Sequence, residues 1–244
     1  MFGFRSSRKE QKDTAAIIVA AGSATRMGGI DKQFAPVLGI PVLGRSMLAL
    51  QACPSVCEII VVTREEVIPL VKQLGEDLSI TKLRTIVTGG NSRQESVQKG
   101  LSCVSENAAY IAVHDGARPL LRPADAEKCI EAARETGAAT LGVPVKDTIK
   151  LADEKGVITA TPDRSHLWAT HTPQVFERVR YEASAILARE SGRDFTDDCQ
   201  LLEFAGHPVT MVAGNYDNIK ITTPEDLAVA EGLLLWREGR EAAE

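Results

Sequence analysis

Short apolar runs alternate with stretches of helical periodicity along most of this chain, and that alternation restricts the fold more than any other feature. The apolar runs fall at 15–21, 58–63, 83–88, 109–114, 138–144 and 208–213, each too short for a helix and mostly rich in Ile, Val and Ala. Helical patterns fall between and after them, at 44–52, 66–76, 93–105, 123–136, 178–190, 197–205 and 224–237. Strands separated by helices pair in parallel, and the helices then cover the sheet. The expected fold is α/β and Rossmann-like, a mostly parallel sheet with helices on both faces. Ser92 followed by Glu95 marks one helix start as a capping box. Thr223-Pro224-Glu225-Asp226 marks another, with a cap, a proline in the first turn and acids there.

One segment breaks the rhythm. In 145–172, two β-branched runs, Val145-Lys146-Asp147-Thr148-Ile149-Lys150 and Val157-Ile158-Thr159-Ala160, flank the polar turn Asp153-Glu154-Lys155-Gly156. That is a hairpin signal, and it reads as a β-arm projecting from the domain. A protruding ribbon has exposed edges, which pairing with a second subunit would cover, so the arm is expected to serve dimerisation. Folding back on its own domain is the alternative. The remaining chain reads as one domain, 14–244, preceded by a charged and disordered extension, 1–13.

Composition narrows the function. With 28 basic and 33 acidic residues the net charge is −5, which argues against non-specific nucleic-acid binding. No apolar run approaches the roughly 20 residues of a membrane helix, and the N-terminus lacks the apolar core of a secretory signal. Five cysteines without a C-x-x-C pair fit reduced thiols in a cytoplasmic protein.

Five segments carry phosphate chemistry. The first run opens into Ala20-Ala21-Gly22-Ser23-Ala24-Thr25-Arg26-Met27-Gly28, ending at Lys32-Gln33. A glycine-bearing loop after a strand lays backbone N–H groups against a polyphosphate, and Arg26 and Lys32 add two cations. Neither the Walker spacing nor the dinucleotide fingerprint occurs, so the loop suits a nucleoside triphosphate better than a dinucleotide. A second segment, His114-Asp115-Gly116-Ala117-Arg118-Pro119, follows the strand at 109–114. There Asp115 suits a Mg²⁺ that bridges phosphates, or alternatively a turn cap. Arg118 would contact a phosphate or lock the turn, and His114 reads as a core imidazole bonded to backbone. In the third, Gly89-Gly90-Asn91-Ser92-Arg93-Gln94-Glu95-Ser96, two glycines permit close approach to a base or ribose, with Arg93 and Ser96 facing it. The fourth is a short strand with Asp217 and Lys220, where Lys220 would meet a second substrate's phosphate. The fifth is the arm, with Thr148 and Arg164 available to a neighbouring subunit's cleft.

Taken in order, these segments resemble the 2-C-methyl-D-erythritol 4-phosphate cytidylyltransferase family of the non-mevalonate isoprenoid pathway. The resemblance runs from about Thr14 to about Trp236. It rests on Ala20-Ala21-Gly22, Arg26-Met27-Gly28, Lys32-Gln33-Phe34, His114 to Pro119, Lys146 to Lys150, Asp163-Arg164 with Leu167-Trp168, and Asp217 to Lys220. It implies transfer of a cytidylyl group from CTP to methylerythritol phosphate by a Mg²⁺-dependent homodimer. By the same resemblance Arg26 and Lys32 stabilise charge at the α-phosphate, Asp115 holds the metal, and Arg93 and Ser96 form the cytidine turn. Lys220 positions the acceptor, and Thr148 and Arg164 serve it from the arm. Arg118 and Asp217 belong to the acceptor side, and Ala20 to Ala24, Gly89 to Asn91 and Gly116 to the nucleotide side. The chain departs from relatives at Ala24, where many have Gly, at Asn91, where some have Asp, and at Gly29-Ile30-Asp31, where many have a Pro. The rival readings are a ribitol 5-phosphate cytidylyltransferase, a sugar-1-phosphate nucleotidyltransferase and a nucleotide-binding module without transfer.

Overall fold

A computed structural model describes residues 11–22 and 31–241. In chain order its strands and helices are β1 (Thr14–Val19), β2 (Pro36–Val37), β3 (Ile40–Pro41), α1 (Val42–Gln51), β4 (Val56–Thr63), α2 (Ile68–Asp77), β5 (Leu83–Thr88) and α3 (Arg93–Leu101). There follow β6 (Tyr110–Asp115), α4 (Pro123–Thr136), β7 (Ala138–Pro144), β8 (Leu151–Ala152), β9 (Ile158–Ala160), β10 (Trp168–Glu177), α5 (Arg178–Glu190), α6 (Asp198–Phe204), β11 (Thr210–Ala213) and α7 (Glu225–Glu241). Seven strands form one sheet in the order β11-β7-β10-β6-β1-β4-β5. Every neighbouring pair is parallel except those of β10, which runs antiparallel to β6 and β7.

Alternation along the strands builds two cores. Ala16 and Ile18 of β1, with Ile59 and Val61 of β4, meet α1, α2 and α4 on one face. Their neighbours Ala15, Ile17, Ile60 and Val62 meet α3, α5 and α6 on the other. Because both faces are covered, the strand residues are apolar in succession rather than every second one. A third, smaller cluster seats α7 against Val37, Val42, Leu120 and Ile221. The bounds of α4 match the sequence because both are chemically marked. Pro123 starts the helix, and Gly137 ends it at φ 88°, a left-handed conformation that only glycine takes without strain.

The structure corrects the sequence reading in three places. The segment 145–172 is not all arm: from Trp168 onward the chain is β10, a central strand of the sheet. Proline inside a run argues against a central strand, and Pro173 sits where the pairing with β7 shifts register between Thr170 and Gln174. The arm itself is the antiparallel pair β8–β9 with its turn at Asp153–Gly156. Second, Asp217–Thr222 is not a strand but an irregular segment. Third, Asp13 is no part of a loose extension. It is buried, Arg134 binds its carboxylate at 2.5 Å, and its carbonyl accepts from the amides of Ala109 and Tyr110.

Helix α3, which opens with Arg93, lies so close to the sheet that a methyl at Gly100 would stand 2.7 Å from Ile17 Cγ2 and 2.8 Å from Val62 Cγ2. Helix propensity favours alanine there by about 1 kcal/mol, whereas overpacking costs about 1–3 kcal/mol. Both contacts come from stiff β-branched side chains, so Gly100→Ala is expected to destabilise the fold by up to about 2 kcal/mol in urea denaturation. An increase in stability would show that α3 has room to move off the sheet.

Candidate active site

From β1 the chain proceeds outward through β4 to β5, then returns to the other side of β1 as β6. Strand order therefore reverses between β1 and β6, and open α/β sheets bind ligands at the carboxyl ends of strands at such a point. Beyond those ends the ladder continues for one residue. The Ala20 amide donates to Val62 O at 2.7 Å, Gly116 to Val19 O at 2.9 Å and Gly89 to Thr63 O at 2.8 Å. Three loops are thereby drawn over one cleft of about 410 Å³, lined among others by Ala21, Gly22, Lys32, Asn91, Arg93, Asp115 and Lys220. At Gly89 a Cβ would stand 2.4 Å from Ala21 Cβ, so glycine is what allows the loops after β1 and β5 to meet. Of the first loop, Ser23, Ala24 and Arg26 lie outside the described residues.

Asp115 is the centre of charge in this cleft. Its Oδ2 lies 2.8 Å from Lys220 Nζ and 3.6 Å from Arg118 Nε, and its Oδ1 lies 3.6 Å from Arg93 Nε. Burial works to raise its pKa, but Lys220, Arg93 and Arg118 together outweigh it and hold the carboxyl well below the usual range. Asp115 is therefore a carboxylate at any physiological pH, and the surrounding cations outnumber it. A hard divalent ion accepts such a ligand, provided that nucleotide oxygens and water complete its shell. Among the described residues no group of three or more His, Cys, Asp or Glu side chains is arranged to hold a metal on its own.

Arg93 is held from behind. Its Nη1 meets Asp198 Oδ2 at 2.5 Å, Asp198 Oδ1 accepts from the Tyr181 hydroxyl at 2.6 Å, and the Asp198 amide donates to Gln174 Oε1 at 2.9 Å. The guanidinium pKa rises despite burial, because Asp198 and Asp115 flank it. Asp198, 105 residues along the chain from Arg93, is a functional neighbour the sequence did not disclose, since nothing in its local pattern exceeds that of a helix start. Ser96 faces inward rather than toward solvent. Its hydroxyl accepts from the Gly90 amide at 3.0 Å and donates to Ser92 O at 2.9 Å, bracing the glycine turn. Half of the capping box at Ser92 forms: the Glu95 amide donates to Ser92 Oγ at 3.1 Å, but the Glu95 carboxylate takes the Asn91 amide at 2.7 Å rather than that of Ser92.

Other candidates fall elsewhere. The Arg118 guanidinium is buried and spent on Asn218 O at 2.8 Å, Thr170 O at 3.4 Å and Asp115, so it locks the turn. Asp217 does not reach the Asp115 cleft. It lines a separate one of about 550 Å³ and is bound there by Arg122 at 2.6 Å and Arg237 at 2.7 Å. Thr148 and Arg164 stand exposed on the arm segment, Arg164 donating to Lys146 O at 2.8 Å, and neither lines its own chain's cleft. His114 is fully buried and bonded to backbone, as the sequence suggested.

The charge balance at Asp115 is testable. Lys220→Met removes the nearest cation, so the Asp115 carboxyl should titrate closer to the ordinary value of about 3.9, read from its carboxyl carbon shift in an NMR titration. Because the folded pKa is depressed, the stability drawn from this cluster is fully present above the unfolded value and lost as pH falls through the folded one. Wild type should therefore lose this contribution only in acid. An unchanged titration in the variant would assign the depression to the arginines instead.

This geometry has close relatives. The family described as 2-C-methyl-D-erythritol 4-phosphate cytidylyltransferase matches residues 14–235. The protein of that name from Pelotomaculum thermopropionicum is 44% identical over 232 residues, covering 93% of this chain and 97% of that one. The protein of that name from Caldanaerobacter subterraneus subsp. tengcongensis is 46% identical over 221 residues, covering 90% and 97%. Among solved structures, 4-diphosphocytidyl-2C-methyl-D-erythritol synthase from Anaerococcus prevotii superposes with a TM-score of 0.81 at 32% identity, covering 92% of this chain and 96% of that one. A match over nearly all of the sheet and its loops leaves one assignment: the chain belongs to the 2-C-methyl-D-erythritol 4-phosphate cytidylyltransferase family.

Proposed function

We propose that this chain transfers a cytidylyl group from CTP to 2-C-methyl-D-erythritol 4-phosphate, releasing pyrophosphate, and that residues from Thr14 onward act as one nucleotidyltransferase domain. The observation that carries the reading is the buried Asp115 carboxylate ringed by Lys220, Arg93 and Arg118 at the switch point, in the cleft that Lys32 also lines. Two polyanions must approach each other there, and an acidic protein has gathered its cations at that spot. Family membership supplies the nucleotide and the acceptor.

The nucleophile is a phosphate-monoester oxygen. Its second pKa is near 6, so it is ionised at neutral pH and needs no general base. Catalysis is then positioning and charge neutralisation. The Gly22 loop and the Gly89–Gly90 turn approach CTP, Arg93 and Ser96 shape the cytidine side, and Lys32 and Arg26 offset charge on the α-phosphate and the leaving pyrophosphate. Lys220 directs the acceptor phosphate toward the α-phosphorus. Asp115 would hold Mg²⁺, which when bound neutralises phosphate charge and clamps the nucleotide.

The arm belongs to a homodimer in this reading. It exposes Ile149, Leu151, Val157 and Ile158, apolar side chains that its own chain leaves uncovered. A two-stranded ribbon is marginal alone in water. A second subunit covers it and receives Thr148 and Arg164 at its acceptor site. No helix among the described residues is long and apolar enough to cross a membrane, in keeping with a cytoplasmic enzyme.

The reading is tested by pyrophosphate release, with each of four nucleoside triphosphates paired with methylerythritol 4-phosphate or ribitol 5-phosphate. Release is expected with CTP and methylerythritol phosphate alone. Release with ribitol phosphate instead would keep the mechanism and change the acceptor, and no release with any pair would leave a nucleotide-binding module. Lys32→Ala should lower kcat by roughly a hundredfold to a thousandfold, the cost of losing one preorganised donor, with a smaller change in KM for CTP. Arg164→Ala should raise KM for the acceptor with CTP binding nearly intact, and Ile158→Asp should shift the dimer toward monomers in analytical ultracentrifugation. Normal kcat in Lys32→Ala, or a dimer unmoved by Ile158→Asp, would remove the corresponding assignment.

A further inference from the structure

His114 has no part in the chemistry proposed above, yet it is fully buried behind the turn that carries Asp115 and Arg118. That turn is closed on itself by the Arg118 amide, which donates to Asp115 O at 3.0 Å. Its two outward-facing backbone groups lead to the imidazole. The Asp115 amide donates to Thr172 Oγ1 at 3.0 Å, and Thr172 Oγ1 lies 3.0 Å from His114 Nδ1. At the other end His114 Nε2 lies 3.4 Å from Arg118 O.

Counting protons fixes the directions. The Thr172 oxygen accepts from the Asp115 amide and could accept a second bond, but its one proton has no hydrogen-bond partner other than His114 Nδ1 among the described residues. Nδ1 is then the acceptor, and the proton of the neutral ring sits on Nε2, where it faces the Arg118 carbonyl. The opposite tautomer would leave the Thr172 proton without a partner and set Nε2 and Arg118 O against each other as two acceptors, both buried. Ser46 does not replace the ring. Its Oγ lies 3.1 Å from both Gly116 O and Arg118 O, and its one proton serves one of them at a time. A doubly protonated ring fits no better, since Nδ1–H would again leave the Thr172 proton without a partner.

We propose that His114, as the Nε2–H tautomer, is a positioning residue that ties both ends of the Asp115–Arg118 turn to Thr172 on β10. The relay Asp115 N–H to Thr172 to His114 to Arg118 O fixes where the carboxylate and the guanidinium stand relative to each other. β10 contributes Thr172 from the one antiparallel strand of the sheet, so the relay also joins that strand to the switch point. The functional consequence rests on the proposed cytidylyl transfer, but the tautomer does not.

The test begins with the full chain free of nucleotide. A two-bond ¹H–¹⁵N correlation spectrum of the four histidines, with His114 identified by its loss in His114→Gln, should show Nε2 protonated and Nδ1 bare. A protonated Nδ1, or exchange between the two forms, overturns the relay whether or not any nucleotide is turned over. In the enzyme assay His114→Leu and Thr172→Val should each lower kcat/KM by about a hundredfold, the scale expected when a site residue shifts by about 1 Å. The double variant should lose little more than the worse single one, because both break the same chain. Thr172→Ser and His114→Gln, which keep the hydroxyl and the Nε2-side donor, should recover most of the loss. Independent, multiplying losses, or no recovery in the conservative variants, would reduce His114 to core packing.

Discussion

A single carboxylate organises this molecule's working end. Asp115 stands where β1 and β6 part, and it gathers Lys220, Arg93 and Arg118 from three separate stretches of chain. Without it, three cations would stand close together with only Asp198, on Arg93, to oppose them, and burying them would be unfavourable. With it, the cations are stable beside one another and remain numerous enough to favour an incoming polyphosphate. Burial disfavours the charged carboxyl and the cations favour it, and the cations win by a wide margin. The same balance explains how a chain of net charge −5 can attract a triphosphate: its field is set locally by the cleft rather than by the total.

The fold was legible because its elements are chemically punctuated. Helix α4 has proline at its start and a left-handed glycine at its end, and both bounds read correctly from sequence. Strands β5 and β7 are apolar runs between turns, and they too read to the residue. The failure at β10 has an equally local cause. Proline in mid-run removes a ladder donor, and the sequence carries no sign that a register shift at that spot restores the pairing. Asp217–Thr222 misled in the opposite sense, since a β-branched pair beside a cap looks like a strand wherever it lies, and only tertiary contacts decide.

The site was legible at the level of loops and not at the level of side chains. The position of Asp115 follows from a strand end and the switch-point rule, whereas Arg93 and Lys220 were tied to the same site only by the family resemblance. What those side chains do to each other follows from neither. Ser96 and Arg93 are neighbours in one helical turn, yet Ser96 braces the glycine turn while Arg93 reaches Asp198 more than a hundred residues away. Asp217 and Lys220 sit three residues apart in an irregular segment, and the chain's path sends one to Arg122 and Arg237 and the other to Asp115. In α3 the backbone is regular and side-chain length separates the two roles, whereas at Asp217 and Lys220 the backbone is irregular and spacing predicts no facing.

The division between arginine and lysine at this site follows from their chemistry. Arg93 and Arg118 are each fixed by several partners, Asp198 and Asp115 for one, Asn218 O, Thr170 O and Asp115 for the other. A planar fork of five donors is suited to that, since it can bind the frame and still present charge to the cleft. Lys220 is a point charge on a flexible stem and the most exposed of the three cations on Asp115, with 40% of its side chain accessible against 24% for Arg93 and 10% for Arg118. Charge in the reaction moves from the acceptor oxygen toward the leaving pyrophosphate. A group that is to follow it must leave its resting partner, and Lys220, bonded to Asp115 alone, gives up fewer contacts in doing so than a buried, multiply bonded arginine. In the proposed function the arginines thus hold the field in place, and Lys220, the most exposed of the three, responds when the phosphates arrive.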